Sequence, residues 1–141
     1  MQTTITRRSI SAGAARALVD AALAHARAKG LGIAVAVVDR EGALVAFERM
    51  DGVAAPIVEF CIDKAYTAAV TGSATRDFFG RMDASPSLRL GLSSRSRLLV
   101  WGGGVPARDG GEVVGAIGVS GAHEEDDIAC AEAALAACGV G

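Results

Sequence analysis

The chain has 141 residues, of which 51% are hydrophobic and only 4% aromatic, and its formal net charge at pH 7 is −2. This length fits one domain with its own core, and a near-neutral charge without a basic stripe argues against a nucleic-acid partner. No stretch approaches the roughly eighteen apolar residues of a membrane span, so we expect no membrane partner. The cysteines, Cys61, Cys130 and Cys138, form no C-x-x-C pair, which indicates free, buried thiols in a cytoplasmic protein.

The N-terminal part of the chain predicts a helix followed by a hairpin. The helix begins after Ser9 or Ser11, either of which can cap it, and ends at Lys29. Two apolar runs then flank the turn sequence "DREG", which predicts strands near 33–39 and 43–49. The first run is apolar on both faces, so we expect it at the centre of the sheet.

The middle of the chain predicts two helices, a loop and a strand. A helix over 56–70 is followed by a short one that Ser73 or Thr75 would cap. The stretch "DASPSLRLGLSSRS" has no regular pattern and predicts a loop. The apolar run "RLLVW" predicts a strand near 97–101.

The C-terminal part predicts a second hairpin and a last helix. The hairpin turns at Asp109-Gly110 between strands near 105–108 and 112–120, and the helix covers 124–138. Because hairpins dominate and strands do not alternate regularly with helices, we predict an α+β fold. The expected architecture is a single domain, residues 1–141, with a five-stranded antiparallel sheet flanked by helices.

The stretch "VVGAIGVSGAHEEDD" combines a glycine series with a block of acids. Gly115, Gly118 and Gly121 have the spacing G-x-x-G-x-x-G, which differs from the dinucleotide pattern. The acids that follow would repel a phosphate from the start of the last helix. We therefore expect the strand glycines to let a helix or a planar ligand lie close to the sheet.

The two histidines are candidates for different roles. His123 stands at the turn between a strand and a helix and precedes Glu124 and Glu125. It can serve as a ligand or as a proton-transfer group, and the alternative is a surface histidine at a helix cap. His25 lies on the first helix among alanines. Two histidines cannot form a three-histidine metal site.

A second group of polar residues surrounds the first hairpin and the second helix. Arg49 and Asp51 end an apolar strand, and Lys64 lies on the apolar stripe of its helix, where an ammonium group needs a partner. One interpretation is an ion pair, Asp51 with Lys64 or Asp63 with Arg49, that joins strand to helix. The other is that Arg49 and Lys64 together hold a carboxylate.

Three ordered motifs, "VAVVDREGALVAFERMDG", "DKAYTA" and "GGGVPARDGGEVVGAIGVSG", resemble the GlcG/HbpS-like family, which is related to the C-terminal domain of PduO-type proteins. The matching residues are Arg49, Met50, Asp51, Asp63, Lys64, Gly115, Gly118, Ser120 and Gly121. The resemblance implies an antiparallel α+β fold and a homo-oligomer, from dimer to octamer, which an alanine- and glycine-rich core also favours. It also implies binding of haem or a corrinoid in some members. This chain departs from the family pattern after Gly121, where it has Ala122, His123 and four acids.

Two functions follow as hypotheses. In the first, the protein binds a small ligand, haem or a related tetrapyrrole, through Arg49, Asp51, Lys64, Ser120 and Gly121. The iron would then take an axial donor from His123, His25 or Met50. In the second, the protein is a cofactor-independent lyase, isomerase or hydratase that acts on a small organic acid. Arg49 and Lys64 would then hold the substrate carboxylate, and His123 with Glu124 would move a proton.

Overall fold

A computed structural model describes residues 1–141 and shows five helices and four strands. In chain order these are α1 (Ala12–Ala28), β1 (Ala34–Asp39), β2 (Leu44–Arg49), α2 (Pro56–Thr71), α3 (Thr75–Asp83), α4 (Pro86–Leu92), β3 (Gly104–Asp109), β4 (Glu112–Ser120) and α5 (Glu124–Cys138). The strands form one antiparallel sheet in the order β2-β1-β4-β3. The α+β class is confirmed, but the sheet has four strands and not five. None of the helices is both long enough and apolar enough to cross a membrane.

The sheet is covered on both faces, and β1 lies at its centre as predicted. Val35 and Val37 of β1 share the large core that α1 and α5 form on one face. Ala34 and Ala36 face the other way and pack against α2. Small side chains on the sheet face that contacts α2 let that helix lie close to the strands. This close approach determines where the side chains of α2 meet the end of β4.

Local sequence signals explain most element boundaries. Ser11, and not Ser9, caps α1, because its side chain accepts a hydrogen bond from Ala14 N. The second hairpin turns where predicted, with left-handed φ angles of 58° and 83° at Gly110 and Gly111, a conformation that glycine adopts without steric cost.

The predicted strand near 97–101 is wrong. The backbone there bonds to a side chain instead of to a neighbouring strand, since the Thr67 hydroxyl donates to Arg97 O and accepts from Leu99 N. Arg97 also has a left-handed φ of 70°, which interrupts an extended chain. The apolar run therefore crosses α2 as an irregular segment.

Two predictions for the segment before it are also corrected. Neither Ser73 nor Thr75 caps α3, because Ala74 occupies the cap position and the buried Thr75 hydroxyl bonds to Trp101 O and Gly104 N. The expected loop contains the short helix α4, which Pro86 begins. Proline is favoured in a first helical turn, but none of the residues of α4 is buried, so no apolar stripe marks it in the sequence.

The outer edge of β3 is closed to a further strand. Gly104 N donates to Thr75, Pro106 has no N–H group, and Arg108 N donates to Val140 O. These alternate residues share one side of the strand, so each outward donor position is either used or absent.

Candidate functional site

Two glycines on neighbouring strands leave room for α2 to pack close to the sheet. Gly118 of β4 pairs with Gly104 of β3, and both face the helix. A Cβ atom at Gly118 would overlap Cys61 O, and one at Gly104 would overlap Lys64 O. The sequence left open whether the strand glycines make room for a helix or for a planar ligand. The structure shows that they make room for a helix. No room for a planar ligand remains between α2 and the sheet at this point.

The close packing of α2 against the sheet places Lys64 at the end of β4. Its ammonium group donates to Val119 O at 2.8 Å and to Asp127 Oδ2 at 3.2 Å. Asp127 Oδ1 accepts from Ala122 N at 3.0 Å. Lys64 is only 2% exposed and Asp127 only 3%, so this is a buried ion pair. Burial raises the pKa of Asp127 above its ordinary value, and the charge of Lys64 offsets part of that increase.

The expectation that Lys64 needs a partner is confirmed, but both proposed pairings are wrong. Lys64 pairs with Asp127 and not with Asp51. Asp63 lies 3.6 Å from Arg97 Nε and does not pair with Arg49. The physical reason is the position of α5, whose first turn lies across the end of β4 and presents Asp127 to α2.

The glycines that follow Trp101 are required by close approaches from three helices. Gly102 N donates to Glu124 Oε1 of α5 at 2.7 Å. Gly103 has a left-handed φ of 123°, and a Cβ atom there would lie 3.1 Å from Lys64 Nζ. The Thr75 hydroxyl of α3 binds the backbone on both sides of these glycines. The loop is therefore held in one conformation beside the ion pair.

These elements line an open pocket of about 290 Å³ between the end of β4 and the start of α5, here called the β4–α5 pocket. Four residues predicted from the sequence line it, namely Lys64, Ser120, Gly121 and Glu124. The other six lining residues were not predicted as site residues, namely Ile57, Phe60, Trp101, Gly102, Ala122 and Asp127.

An aromatic pair forms the mouth of the β4–α5 pocket. Phe60 and Trp101 meet edge to face with ring centroids 5.2 Å apart and an interplanar angle of 85°. Trp101 is nevertheless 52% exposed. An indole that is held by its neighbours but half open to solvent gives a ligand a rigid apolar surface.

The acids at the rim of the pocket share one arginine. Arg76 of α3 lies 2.6 Å from Glu125 and 3.6 Å from Glu124. The Arg76 guanidinium lowers the pKa of Glu125. The acid block therefore complements the start of α5, as expected, and it also ties α5 to α3. No group of three or more His, Cys, Asp or Glu side chains is arranged to hold a metal ion.

The other predicted site residues lie outside the pocket lining. Arg49 is exposed and shares a row with Ala34 and Ser120, so it stands on the same face about 10 Å from Ser120. His123 is the exposed N-cap residue of α5 at the pocket rim. Asp51 is exposed in the turn after β2.

The two remaining axial-donor candidates lie on the opposite face of the sheet. Met50 packs against the core of α1 and α5, and its sulfur accepts from Ile33 N at 3.5 Å. His25 lies in the last turn of α1. Of the three predicted donors, only His123 is next to the pocket.

A sequence signal for Asp127 exists, although the prediction treated it only as one of four acids. Asp127 falls at helical spacing with Cys130, Ala131 and Ala134, all of which are buried. An acid on an apolar stripe requires a buried partner, which is the argument already applied to Lys64. No comparable signal marks Phe60 and Trp101, because their contact depends on the irregular segment before β3.

Comparison with known proteins places this geometry in a family. Residues 10–136 match the family described as "Haem degrading protein HbpS-like". An uncharacterized 15.0 kDa protein of Citrobacter freundii from the dhaT-dhaS intergenic region is 33% identical over 128 residues, which is 90% of each chain.

Solved structures agree with this assignment. The Klebsiella pneumoniae protein ORFY superposes with a TM-score of 0.91 at 28% identity, covering 99% of this chain and 97% of that one. A PduOC–heme complex superposes with a TM-score of 0.85 at 26% identity, covering 94% and 97%. Because the family match covers nearly the whole chain, this protein belongs to the HbpS-like family.

Proposed function

We propose that this protein binds a planar tetrapyrrole, haem or a close relative, at the β4–α5 pocket. The observation that carries the proposal is the half-exposed indole of Trp101, which Phe60 supports at the mouth of the pocket. Ligand sites combine aromatic surface with a few fixed polar groups, and Ser120 and Glu124 supply such groups here. A related PduOC domain whose structure is a heme complex supports this choice of ligand.

The residues present fit a haem that is bound at the surface. The pocket volume of about 290 Å³ lies just below the range of typical small-molecule sites, roughly 300–1,000 Å³. It therefore accommodates part of a macrocycle. His123 is the donor available for iron, because it is exposed at the pocket rim. When bound, haem supplies an iron centre whose reactivity depends on its axial ligand.

The remaining residues would bind and orient the ligand. Arg49 forms no ion pair within the chain, so its guanidinium group is free to hold a carboxylate such as a haem propionate. Lys64 and Asp127 neutralise each other, so we assign them to fixing the shape of the pocket. Asp51, exposed beyond the end of β2, would contact only the outer edge of a large ligand.

The alternative enzymatic function has less support from the geometry. It requires Lys64 to hold a substrate carboxylate, but the ammonium group is already bonded to Asp127 and to Val119 O. The Asp127 carboxylate beside it would repel an anionic substrate.

A haemin titration tests the proposed function. We expect a saturable Soret band at one haemin per chain, together with quenching of Trp101, the single tryptophan of the protein. His123→Ala should shift the Soret band, and Trp101→Ala should weaken binding. His25→Ala is the matched control, because His25 lies on the other face of the sheet.

Two results would contradict the proposal. One is the absence of saturable binding. The other is a Soret band that is unchanged by His123→Ala but altered by His25→Ala, which would place the ligand on the opposite face.

A further inference from the structure

We propose a second binding site, for a phosphate group, in the cleft between α2 and the segment that follows α4. This cleft has a volume of about 460 Å³ and is lined by Tyr66, Ser94, Arg95, Ser96 and Leu98. It is called the Arg95 cleft below. It shares no lining residue with the β4–α5 pocket, so it does not depend on the function proposed there.

The wall of the Arg95 cleft is held in place by one threonine and one arginine. The Thr67 hydroxyl binds the backbone at Arg97 O, 3.1 Å away, and at Leu99 N, 2.9 Å away. Arg97 has a left-handed φ of 70° and is the only residue other than glycine with a positive φ in the chain. Its guanidinium stacks on the ring of Tyr66 at 3.8 Å. Together these contacts stabilise a left-handed backbone conformation that is otherwise costly for arginine.

The charge of Arg97 is compensated by a carboxylate of the chain, whereas the charge of Arg95 is not. Arg97 Nε lies 3.6 Å from Asp63, so the two charges compensate. No ion pair of the chain involves Arg95. The Arg95 cleft therefore carries one uncompensated positive charge.

Three residues with hydroxyl groups, Tyr66, Ser94 and Ser96, line the same cleft as Arg95. The hydroxyls of Tyr66 and Ser96 make no hydrogen bond within the chain, and the Ser94 hydroxyl reaches only Gly91 O, at 3.4 Å. A cleft lined by one free guanidinium group and three hydroxyl donors matches the oxygens of a phosphate, which accepts several hydrogen bonds and pairs with arginine through two parallel bonds. The chemistry of the Arg95 cleft therefore favours inorganic phosphate or a phosphate monoester.

An NMR titration of the full chain with inorganic phosphate, at constant ionic strength, tests this site. We expect saturable shifts of the backbone amides of residues 94–98. Arg95→Ala should weaken binding at least about tenfold, because a charge-assisted hydrogen bond is lost. Arg95→Lys should fall between the two, since it keeps the charge but loses the paired geometry. Arg89→Ala is the matched control, as Arg89 lies on α4 and faces Asp83.

A parallel titration with phenyl phosphate distinguishes the source of the phosphate. Tighter binding than inorganic phosphate would identify a monoester as the ligand, and equal affinity would identify free phosphate. The proposal is overturned if the shifts at residues 94–98 do not saturate, if chloride alone reproduces them, or if Arg95→Ala and Arg89→Ala have equal effects.

Discussion

Lys64→Met should destabilise the protein strongly, by an amount that depends on pH. Methionine keeps most of the apolar side chain but removes the ammonium group, so Asp127 retains only Ala122 N as a hydrogen-bond donor. Asp127 is 3% exposed, and leaving one member of a buried pair unpaired costs about 3–5 kcal/mol. We expect that loss in the free energy of unfolding when Asp127 is ionised.

The direction of the pH dependence follows from the pKa of Asp127. Burial raises this pKa above the ordinary 3.8, and Lys64 lowers it part of the way back. Removing Lys64 therefore raises it further. A carboxyl group whose pKa is higher in the folded than in the unfolded state stabilises the fold below the unfolded pKa, and this contribution is lost as the pH rises through the folded pKa. The penalty of Lys64→Met should be small below about pH 4 and reach its full size above the folded pKa of Asp127.

Urea unfolding, followed by circular dichroism across this pH range, measures the effect. The double variant Lys64→Met/Asp127→Asn should recover most of the stability and lose the added pH dependence, because no unpaired carboxylate remains. Lys29→Met is the matched control, since Lys29 is the other lysine of the chain and is exposed. A loss of less than about 1 kcal/mol for Lys64→Met at every pH would show that the pair is solvated, and the reasoning would then fail.

Four further outcomes are expected. Gly118→Ala should cost about 1–3 kcal/mol in urea unfolding, because a Cβ atom would lie 2.5 Å from Ala65 N, whereas Gly13→Ala, with nothing within 4 Å, should cost nothing. Thr75→Val should cost about 1–3 kcal/mol and make Trp101 fluorescence easier to quench with acrylamide, since the hydroxyl holds Trp101 O; unchanged quenching would argue against that hold. Burial raises the pKa of Cys61 to about 12 and that of Cys130 to about 11, so Ellman's reagent at pH 8 should modify only the partly exposed Cys138 until urea is added. Light scattering should give a dimer or a larger homo-oligomer, supported by exposed Phe79, Leu88 and Leu90, and a monomer mass at micromolar concentration would contradict it.

Segments with local signals were predictable from the sequence. The last helix has an acid block at its start and Gly139 at its end, and the second hairpin has glycines where φ must be positive. The prediction of a strand at 97–101 was wrong because strand propensity describes how well side chains fit a sheet. The backbone of this segment instead bonds to a threonine of α2. The α4 helix has no buried residue, so its sequence shows no apolar periodicity that would predict a helix.

The candidate site was only partly predictable, for a related reason. Among the residues that line the pocket, Lys64 was singled out by its place on an apolar helical stripe, Glu124 by its place after His123, and Gly121 by the glycine series. Ser120 was named only through the family resemblance. The partner of Lys64 could not be chosen from the sequence, since Asp51 and Asp127 are both compatible with a helix that contacts a sheet. The choice depends on where α5 crosses β4, which is a property of the packed core.

The glycine series and the buried ion pair are two parts of one arrangement. With a side chain at Gly118 or Gly104, α2 would have to move away from the sheet, because its carbonyl oxygens at Cys61 and Lys64 occupy that space. The ammonium group of Lys64 would then lose Val119 O, which it reaches at 2.8 Å, and would withdraw from Asp127. The Asp127 carboxylate, left with Ala122 N alone, would be buried without a cation. Small residues in the strands are therefore needed for the charge balance of the pocket as well as for packing.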